Sequence, residues 1–350
     1  MSSEEKLALA AIAISVVLKK TKSERMGKKW LLMRPKQSDT TLLEELRLYP
    51  DDFQNYLRMD YDIYNELLEV ISPLIVKQDT HFRDAITPHE RLAATLGYLA
   101  TGRSFEDLKF FTRISAQSLG HIIPGTCRAI YETLATIPQA AEWIEISNMF
   151  ETKLQFPHSL GAVDGKHVTI SPPPDSGSYF YNYKGFHNLV LMAIANENYE
   201  FIYVHFGTNG RVSDNGVIAC TSFYKMLKQG NLNLQEHTPE GFPFVFVGDE
   251  AFALRLDFLK PFYSRLLNDQ RRIFNYRLSR ARRVVENTFG ILVARFGVLK
   301  SRICLSPEKI DDVVMACCVL HNFLRVKTYQ QYTPQGSLDV EDPETHILET

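Results

Sequence analysis

The sequence predicts an α/β protein in which an all-α part precedes a mixed layer of strands and helices. Apolar residues recur at helical spacing from residue 42 to 76 and again from 87 to 137. Strand-like apolar runs then follow at residues 158–170, 188–196, 201–206 and 242–247. Two further helical stretches close the chain, so helices cover the strands, as in an α/β layer architecture.

Composition sets limits on size and partners. A chain of 350 residues has room for two domains, and 45% hydrophobic and 23% charged residues are typical of a globular protein. The net charge of −2 means that any nucleic-acid surface must be local. Residues 19–36 hold eight basic side chains against one acid, and residues 271–302 hold nine against one. The first run is a candidate nuclear-import signal or phosphate-binding arm, or simply a solvated charged segment.

Cysteines and apolar runs bear on the compartment. The five cysteines form no C-x-x-C pair, which favours a reducing compartment and disfavours a structural zinc site. The apolar run at residues 7–18 is too short to span a bilayer, and its leader lacks the basic start of a signal peptide. We therefore expect neither membrane association nor secretion.

We predict four segments along the chain. Residues 1–40 form an N-terminal helix and basic arm, and residues 41–140 a helical, DNA-binding domain. Residues 141–328 form the α/β catalytic domain. Residues 329–350 form an acidic tail that is predicted to be disordered.

Residues 87–137 of the helical domain predict a helix-turn-helix. Thr87 and Pro88 open one helix, a short second helix runs over residues 104–111, and Ser115 caps a third after a tight turn. In that motif the start of the third helix enters the major groove. A plain helical bundle with a serine cap explains the pattern equally well. The candidate DNA contacts are Arg113, Gln117, Ser118 and His121.

The second half predicts strands with interspersed helices. A proline-marked connector is expected at residues 138–156, and a helix over Asn215 to Leu227 follows Ser213 and Asp214. A helix-rich stretch is expected after the strand at 242–247. An amphipathic helix over Leu278 to Phe296 and a buried helix over Met315 to Val326 close the domain. The buried stripe of the amphipathic helix comprises Val285, Phe289, Leu292 and Phe296.

Three acids stand out by position. Asp164 lies in the middle of the first strand, where a carboxylate is costly without a partner. Asp249 follows the fourth strand, at the end where open α/β sheets place their sites. Glu286 lies on the closing helix beside buried Val285. Each has a structural alternative, because Asp164 precedes a turn-forming glycine and Glu286 has arginine one turn earlier.

Converging carboxylates repel one another and therefore require cations. Hard oxygen ligands select Mg²⁺ or Mn²⁺, and two such ions can activate water or a 3′-hydroxyl for attack on a phosphodiester. A polyanionic substrate also requires a basic surface near the acids. The candidate phosphate contacts are Lys166, Lys184, Arg280, Arg282 and Arg283.

Five ordered motifs resemble the PIF/Harbinger superfamily of DDE transposases and the nucleases derived from them. The resemblance runs from about Phe53 to Arg325. It is carried by the segments at residues 161–168, 213–217, 247–252, 277–290 and 316–322. It implies an RNase H-like catalytic core, with Asp164, Asp249 and Glu286 as the DDE triad and two Mg²⁺ or Mn²⁺ ions in the site. Asp214 matches a further acidic motif and is either a fourth metal ligand or part of a helix cap.

The resemblance also implies a function and partners. We expect a transposase or transposase-derived nuclease that cuts double-stranded DNA at terminal inverted repeats and joins the 3′-hydroxyl to a target site. A homodimer or larger assembly and a Myb/SANT-like DNA-binding partner are expected. The nucleus is the expected location, or the cytoplasm without that partner. Two alternatives remain: a non-catalytic DNA-binding protein that keeps the core as a dimer scaffold, and a phosphoesterase acting on small substrates.

Overall fold

The computed structural model describes residues 39–79, 84–136, 140–182, 184–232, 234, 241–263, 267–328, 332–333, 340–341 and 348–349. The predicted N-terminal helix and basic arm, Tyr183 and most of the acidic tail lie outside these residues. The chain divides into two compact units, Met1–Tyr98 with Arg103–Thr126 and Leu99–Gly102 with Cys127–Thr350. None of the described helices has the length and apolarity needed to cross a membrane.

The first unit is built from helices. They are α1 (Asp39–Leu46), α2 (Pro50–Leu57), α3 (Tyr61–Ile75), α4 (Pro88–Thr101), α5 (Phe105–Thr112) and the start of α6 (Ala116–Leu134). Their apolar faces are buried, with Leu67, Leu92 and Leu119 fully inaccessible. The predicted helical spacing of this part is confirmed.

Side-chain caps fix where these helices begin. Thr87 and Glu90 form a reciprocal capping box at α4, in which the Glu90 amide donates to Thr87 Oγ1 at 3.2 Å and the Thr87 amide to Glu90 Oε2 at 2.8 Å. Ser104 accepts from the Asp107 amide at the start of α5. Ser115 accepts from the Ser118 amide at the start of α6, as predicted.

The second unit is organised around a five-stranded mixed sheet of order β3-β2-β1-β4-β5. Strands β1 and β2 pair antiparallel, as do β2 and β3, whereas β4 runs parallel to β1 and β5 parallel to β4. Every residue of β2 is buried, which explains its continuous apolar sequence. The strands are β1 (Ser159–Thr169), β2 (Asn188–Ala195), β3 (Phe201–Asn209), β4 (Val245–Val247) and β5 (Phe258–Leu259).

Helices cover this sheet. Helix α7 (Ala140–Leu154) and α10 (Asp269–Arg295) pack against β1, and α11 (Pro307–Lys327) packs against β3. The predicted stripe of Val285, Phe289, Leu292 and Phe296 is buried, with Phe296 directly after the last residue of α10. The α/β prediction is therefore confirmed for this unit. Two-residue strands β6 (Val340–Glu341) and β7 (Leu348–Glu349) pair with each other.

Several boundaries differ from the prediction. The connector expected at 138–156 is wrong, because Trp143, Ile146 and Phe150 are buried along one face of α7. The fourth strand covers only three of its six predicted residues. The helix-rich stretch expected after it contains β5 and turns, and α10 begins at Asp269 after an Asn268 cap, earlier than predicted.

The helix expected over residues 215–227 is two helices, α8 (Asp214–Cys220) and α9 (Ser222–Lys228). Thr221 separates them because its hydroxyl forms hydrogen bonds with the last turn of α8 and with the first turn of α9. Thr221 Oγ1 donates to the Ile218 carbonyl at 2.7 Å and accepts from the Tyr224 amide at 3.1 Å. A single threonine thus ends one helix and caps the next.

Candidate active site

Asp164 lies in the middle of β1, opposite Ala193 of β2. Its Oδ1 accepts a hydrogen bond from the Gly165 amide at 2.8 Å. The pKa of Asp164 is raised from 3.8 to about 6, chiefly by burial and also by the negative charges of Asp249 and Asp214. The hydrogen bond from the Gly165 amide and the charge of Arg282 act in the opposite direction and lower it. The carboxylate is therefore in an unfavourable environment for a negative charge.

The parallel pairing of β1 and β4 brings Asp249 to the same place. Ala162 pairs with Val247, and each aspartate lies two residues beyond its member of that pair. Asp249 Oδ1 accepts from the Ala251 amide at 2.9 Å, which fixes the turn after β4. Asp249 thus lies just beyond the carboxyl end of β4, where ligands bind in sheets of this kind, and the register places it beside Asp164 in the middle of β1.

A third carboxylate comes from the start of α8. Ser213 caps this helix, because its hydroxyl accepts from the Gly216 amide, so Asp214 is not the capping residue. The Asp214 carboxylate reaches β1 instead, and a Cβ added to Gly165 would lie 2.5 Å from Asp214 Oδ1. Glycine at position 165 therefore makes room for this side chain. Burial raises the pKa of Asp214, Asp249 raises it further, and Lys184 lowers it.

The three aspartates form one group suited to a cation. One carboxylate oxygen from each of Asp164, Asp214 and Asp249 lies within 4.8 Å of the other two. Each side chain is half-buried. Solvent therefore screens the repulsion between the three negative charges less than it would at an open surface. A set of hard oxygen donors this close together fits a divalent ion such as Mg²⁺ or Mn²⁺.

Glu286 lies outside this group of three. Its side chain is 52% exposed and pairs with Arg282, whose Nη2 lies 3.2 Å from Glu286 Oε1. This is the one-turn ion pair that was the structural alternative for Glu286. Arg282 also lowers the pKa of Asp164, so its charge acts on both acids. Arg282 thus links Glu286 electrostatically to the aspartate group.

The candidate phosphate contacts differ in their surroundings. Lys166 is half-buried, lies 5.9 Å from the centre of the Phe289 ring, and has a pKa lowered by burial. Lys184 is exposed, and its charge acts on Asp214. Arg280 and Arg283 are half-buried on α10.

The candidate DNA contacts of the first unit lie at the start of α6 and in the turn before it. Gln117 and His121 are exposed, whereas Ser118 is half-buried and its hydroxyl lies 2.8 Å from the Ser115 hydroxyl. Arg113 ends α5 with a left-handed backbone, φ 53°. Such a residue between two helices gives the chain a tight turn.

The motif at residues 316–322 has a structural role that the sequence reasoning did not identify. Asn322 binds both backbone groups of Phe201, accepting from the amide at 2.8 Å and donating to the carbonyl at 2.7 Å. His321 lies 2.7 Å from the Tyr199 carbonyl and 3.0 Å from the Tyr332 hydroxyl, and burial lowers its pKa to about 4. The motif anchors α11 to the start of β3. The available signal was the polar pair His321 and Asn322 directly after the apolar run at residues 313–320.

The mixed sheet and the aspartate group beside β1 and β4 fit a DDE-type endonuclease domain. Residues 163–322 match the sequence profile of the DDE superfamily endonuclease family. The chain is 25% identical to HARBI1 of Bos taurus, a candidate nuclease by its name, over 78% of each protein. It is 24% identical to HARBI1 of Xenopus laevis over 86% of this chain and 87% of that one. It is 21% identical to the ALP1-like protein of Arabidopsis thaliana over 79% and 71%.

Residues 163–322 of the chain therefore form a DDE superfamily endonuclease domain, and the chain is homologous to HARBI1 and ALP1-like. This confirms the resemblance carried by the five motifs. No solved structure is a significant match to the chain.

Proposed function

We propose that the protein is a DNA endonuclease that depends on divalent metal ions and uses Asp164, Asp249 and Glu286 as its catalytic residues. The observation that carries this proposal is the convergence of three aspartates within 4.8 Å, with burial raising the pKa of Asp164 to about 6. Such a group is costly in the absence of a cation. The five-stranded sheet, with two parallel and two antiparallel pairings, fits the RNase H-like core that the resemblance implies.

The acidic residues would bind the metal ions, and the basic residues would bind DNA. Asp164, Asp214 and Asp249 would hold Mg²⁺ or Mn²⁺, two ions per site, with Glu286 contributing once it leaves Arg282. Bound ions of this kind supply an activated water and neutralise charge on the phosphodiester. Arg282 would then be available for a DNA phosphate, because an incoming phosphate competes with Glu286 for its guanidinium.

The basic side chains around the site would follow the DNA backbone. Positive charges beside an acidic cluster offset the repulsion between the acids and the phosphates. The cations assigned to this role are Lys166, Lys184, Arg280, Arg282 and Arg283.

We assign recognition of double-stranded DNA to the first unit. Its α5 and α6, joined by the three residues 113–115, support a helix-turn-helix reading. Arg113, Gln117, Ser118 and His121 would contact the duplex, because they carry donors and acceptors suited to base edges and phosphates. The substrate would be the terminal inverted repeats of an element.

Strand transfer and assembly complete the proposal. A transposase of this class would join the 3′-hydroxyl it exposes to target DNA by direct attack, and it would hold two ends in a dimer or larger assembly. A Myb/SANT-like partner would assist end recognition and entry into the nucleus. These parts of the proposal rest on the resemblance to the PIF/Harbinger superfamily.

Nicking of supercoiled plasmid DNA by the full-length chain tests the proposal. We expect nicking with Mg²⁺ or Mn²⁺ and none with EDTA. Asp249→Asn and Glu286→Gln should each lower the rate at least 100-fold, because each removes a charge from the metal site. Glu250→Gln is the matched control, since Glu250 neighbours Asp249 but is exposed and outside the aspartate group.

Two results would overturn the catalytic assignment. One is nicking that persists unchanged in both variants, which would place the activity elsewhere. The other is the absence of nicking and joining on oligonucleotides that carry the terminal repeats, which would favour the non-catalytic DNA-binding alternative. Joining itself is measured with a labelled oligonucleotide that ends in a 3′-hydroxyl.

A further inference from the structure

Strand β3 lies at one edge of the sheet, and among the described residues no further strand pairs with its outer side. Within the part of the chain that the structure describes, its pairing partner is β2 alone, and its nine residues, Phe201–Asn209, include no Lys, Arg, Asp, Glu or Pro. Asn322 satisfies the outer backbone groups of Phe201. Among the described residues, the backbone groups of 202–208 bond to nothing outside β2. Proteins usually protect so long an uncharged edge with charges, proline or a covering element.

A groove runs along this edge. A cavity of about 550 Å³ is lined by all six residues from Phe201 to Phe206 and by parts of α6, α9 and α11. Successive side chains of a strand point to opposite faces of its sheet, so a cavity that touches six in a row lies along the edge. A second cavity of about 440 Å³ continues from the first, because both share Thr136, Phe201, Ile202 and Asn322.

The groove is acidic. Within the described part of the chain, no lysine or arginine lines either cavity. Because DNA is a polyanion, this charge argues against a nucleic-acid ligand. Arg128 pairs with Asp312 through two hydrogen bonds of 3.0 and 2.9 Å, so the charge of that lining residue is compensated. The other carboxylates that line the two cavities are Glu142, Glu145, Glu197, Glu200 and Asp311.

Glu197 is the position in this groove at which a positively charged group of a ligand would bind. Its side chain is only 2% exposed, and Oε2 is buried with no hydrogen-bond partner among the described residues. The nearest recorded cation is Lys153, whose Nζ lies 3.9 Å from Glu197 Oε1 and donates instead to Asn198 Oδ1 at 2.7 Å. A buried carboxylate oxygen without a partner is costly, and a ligand that donates to it would remove that cost.

We propose that this groove binds an extended, lysine- or arginine-bearing segment of a partner protein, which adds a strand to the free edge of β3. Backbone hydrogen bonds to residues 202–206 would supply affinity, and a basic side chain that reaches Glu197 would supply selectivity. The two parts are independent, since one depends on the strand edge and the other on the acids. The groove and the aspartate site are formed by different residues of the second unit.

Peptide binding to the full-length chain tests this proposal. The probe is a fluorescein-labelled peptide of alternating lysine and valine, and binding is measured by fluorescence anisotropy. A glutamate–valine peptide controls for charge. A lysine peptide with proline at alternate positions controls for strand addition, because proline has no amide hydrogen to donate.

We expect the lysine–valine probe to bind at least tenfold more tightly than either control peptide. Glu197→Gln should weaken its binding about tenfold, because the variant removes the buried charge but keeps the side-chain shape. Glu69→Gln is the control variant, since Glu69 is an exposed acid on α3 of the other unit. Hydrogen exchange of the amides in residues 202–206 should slow when the probe binds.

Three outcomes would overturn the proposal. Equal binding of the proline peptide without slowed exchange would exclude strand addition. Slow exchange at 202–206 without the probe, in a protein that sediments as a dimer, would show that a second copy covers the edge. A peptide of residues 19–36 that binds at least tenfold more tightly than the probe would make this chain's own basic run the occupant.

Discussion

Replacing Asp164 with asparagine is expected to stabilise the metal-free protein while it abolishes nuclease activity. Asparagine keeps the size of the side chain and an oxygen that can accept from the Gly165 amide, as Asp164 Oδ1 does at 2.8 Å. It removes the charge that burial, Asp249 and Asp214 disfavour. The same substitution takes away a ligand for the metal ion, so stability and activity should move in opposite directions.

The magnitude follows from the pKa of Asp164. Its rise from 3.8 to about 6 is about two pH units, and each corresponds to about 1.4 kcal/mol. The ionised group therefore lowers the free energy of unfolding by about 3 kcal/mol at most. For a unit of this size, 1 kcal/mol changes the unfolding midpoint by about 2–4 °C, so the variant should unfold roughly 6–12 °C higher at most.

The stability difference between the variant and the wild-type protein should depend on pH, and its direction follows from the pKa of Asp164. Because the pKa is higher in the folded state, the folded protein holds this proton more tightly than the unfolded chain does. The wild-type protein therefore loses this contribution to stability as the pH rises from about 4 through about 6. The advantage of the variant should be fully present at pH 8 and small at pH 4.

Thermal unfolding in EDTA at pH 5 and pH 8 measures this difference. Added Mg²⁺ should raise the midpoint of the wild-type protein, because a ligand that binds only the folded state stabilises it, and should raise that of the variant much less. The reasoning is refuted if the variant is less stable than wild type in EDTA at pH 8. It is also refuted if the advantage is the same at both pH values.

Two further substitutions test how the structure positions these groups. Gly165→Ala should weaken Mg²⁺ binding, measured by calorimetry, at least tenfold, because the new Cβ would lie 2.5 Å from Asp214 Oδ1. Gly125→Ala is its control, since an added Cβ meets nothing within 4 Å there, and it should leave Mg²⁺ binding unchanged. Asn322→Ala should lower the free energy of unfolding in urea by about 2–4 kcal/mol, because it leaves both Phe201 backbone groups without their partner. A loss below 1 kcal/mol would show that water replaces the amide.

The periodicity of apolar residues predicted that the sheet and its covering helices exist more accurately than it predicted the residues at which they begin and end. Asp164 and Asp249 could be placed on strands because apolar runs surround them, and the parallel register then brings them together. The three-residue β4 and two-residue β5 are too short to show a period of two. For α7, the spacing of Trp143, Ile146 and Phe150 was a helical signal that the preceding proline obscured.

The composition of the acidic group could not be predicted from spacing. Arg282 and Glu286 are four residues apart on one helix, which allows either an ion pair or a metal ligand, and only the side-chain conformation distinguishes the two. Asp214 follows a helix-capping serine, so its sequence context explains either role. The close packing of Gly165 against Asp214 depends on residues about 50 positions apart in the chain.

The aspartate group joins three stretches of chain that are distant in sequence. Fifty positions separate Asp164 from Asp214, and thirty-five separate Asp214 from Asp249. A cation held by all three would therefore act as a reversible cross-link that closes two long loops. A covalent link across a loop of this length lowers the entropy of the unfolded chain and so raises its free energy by about 4 kcal/mol at 25 °C. Binding of the cation should thus slow the local opening of the short helix α8, which has few other attachments to the sheet.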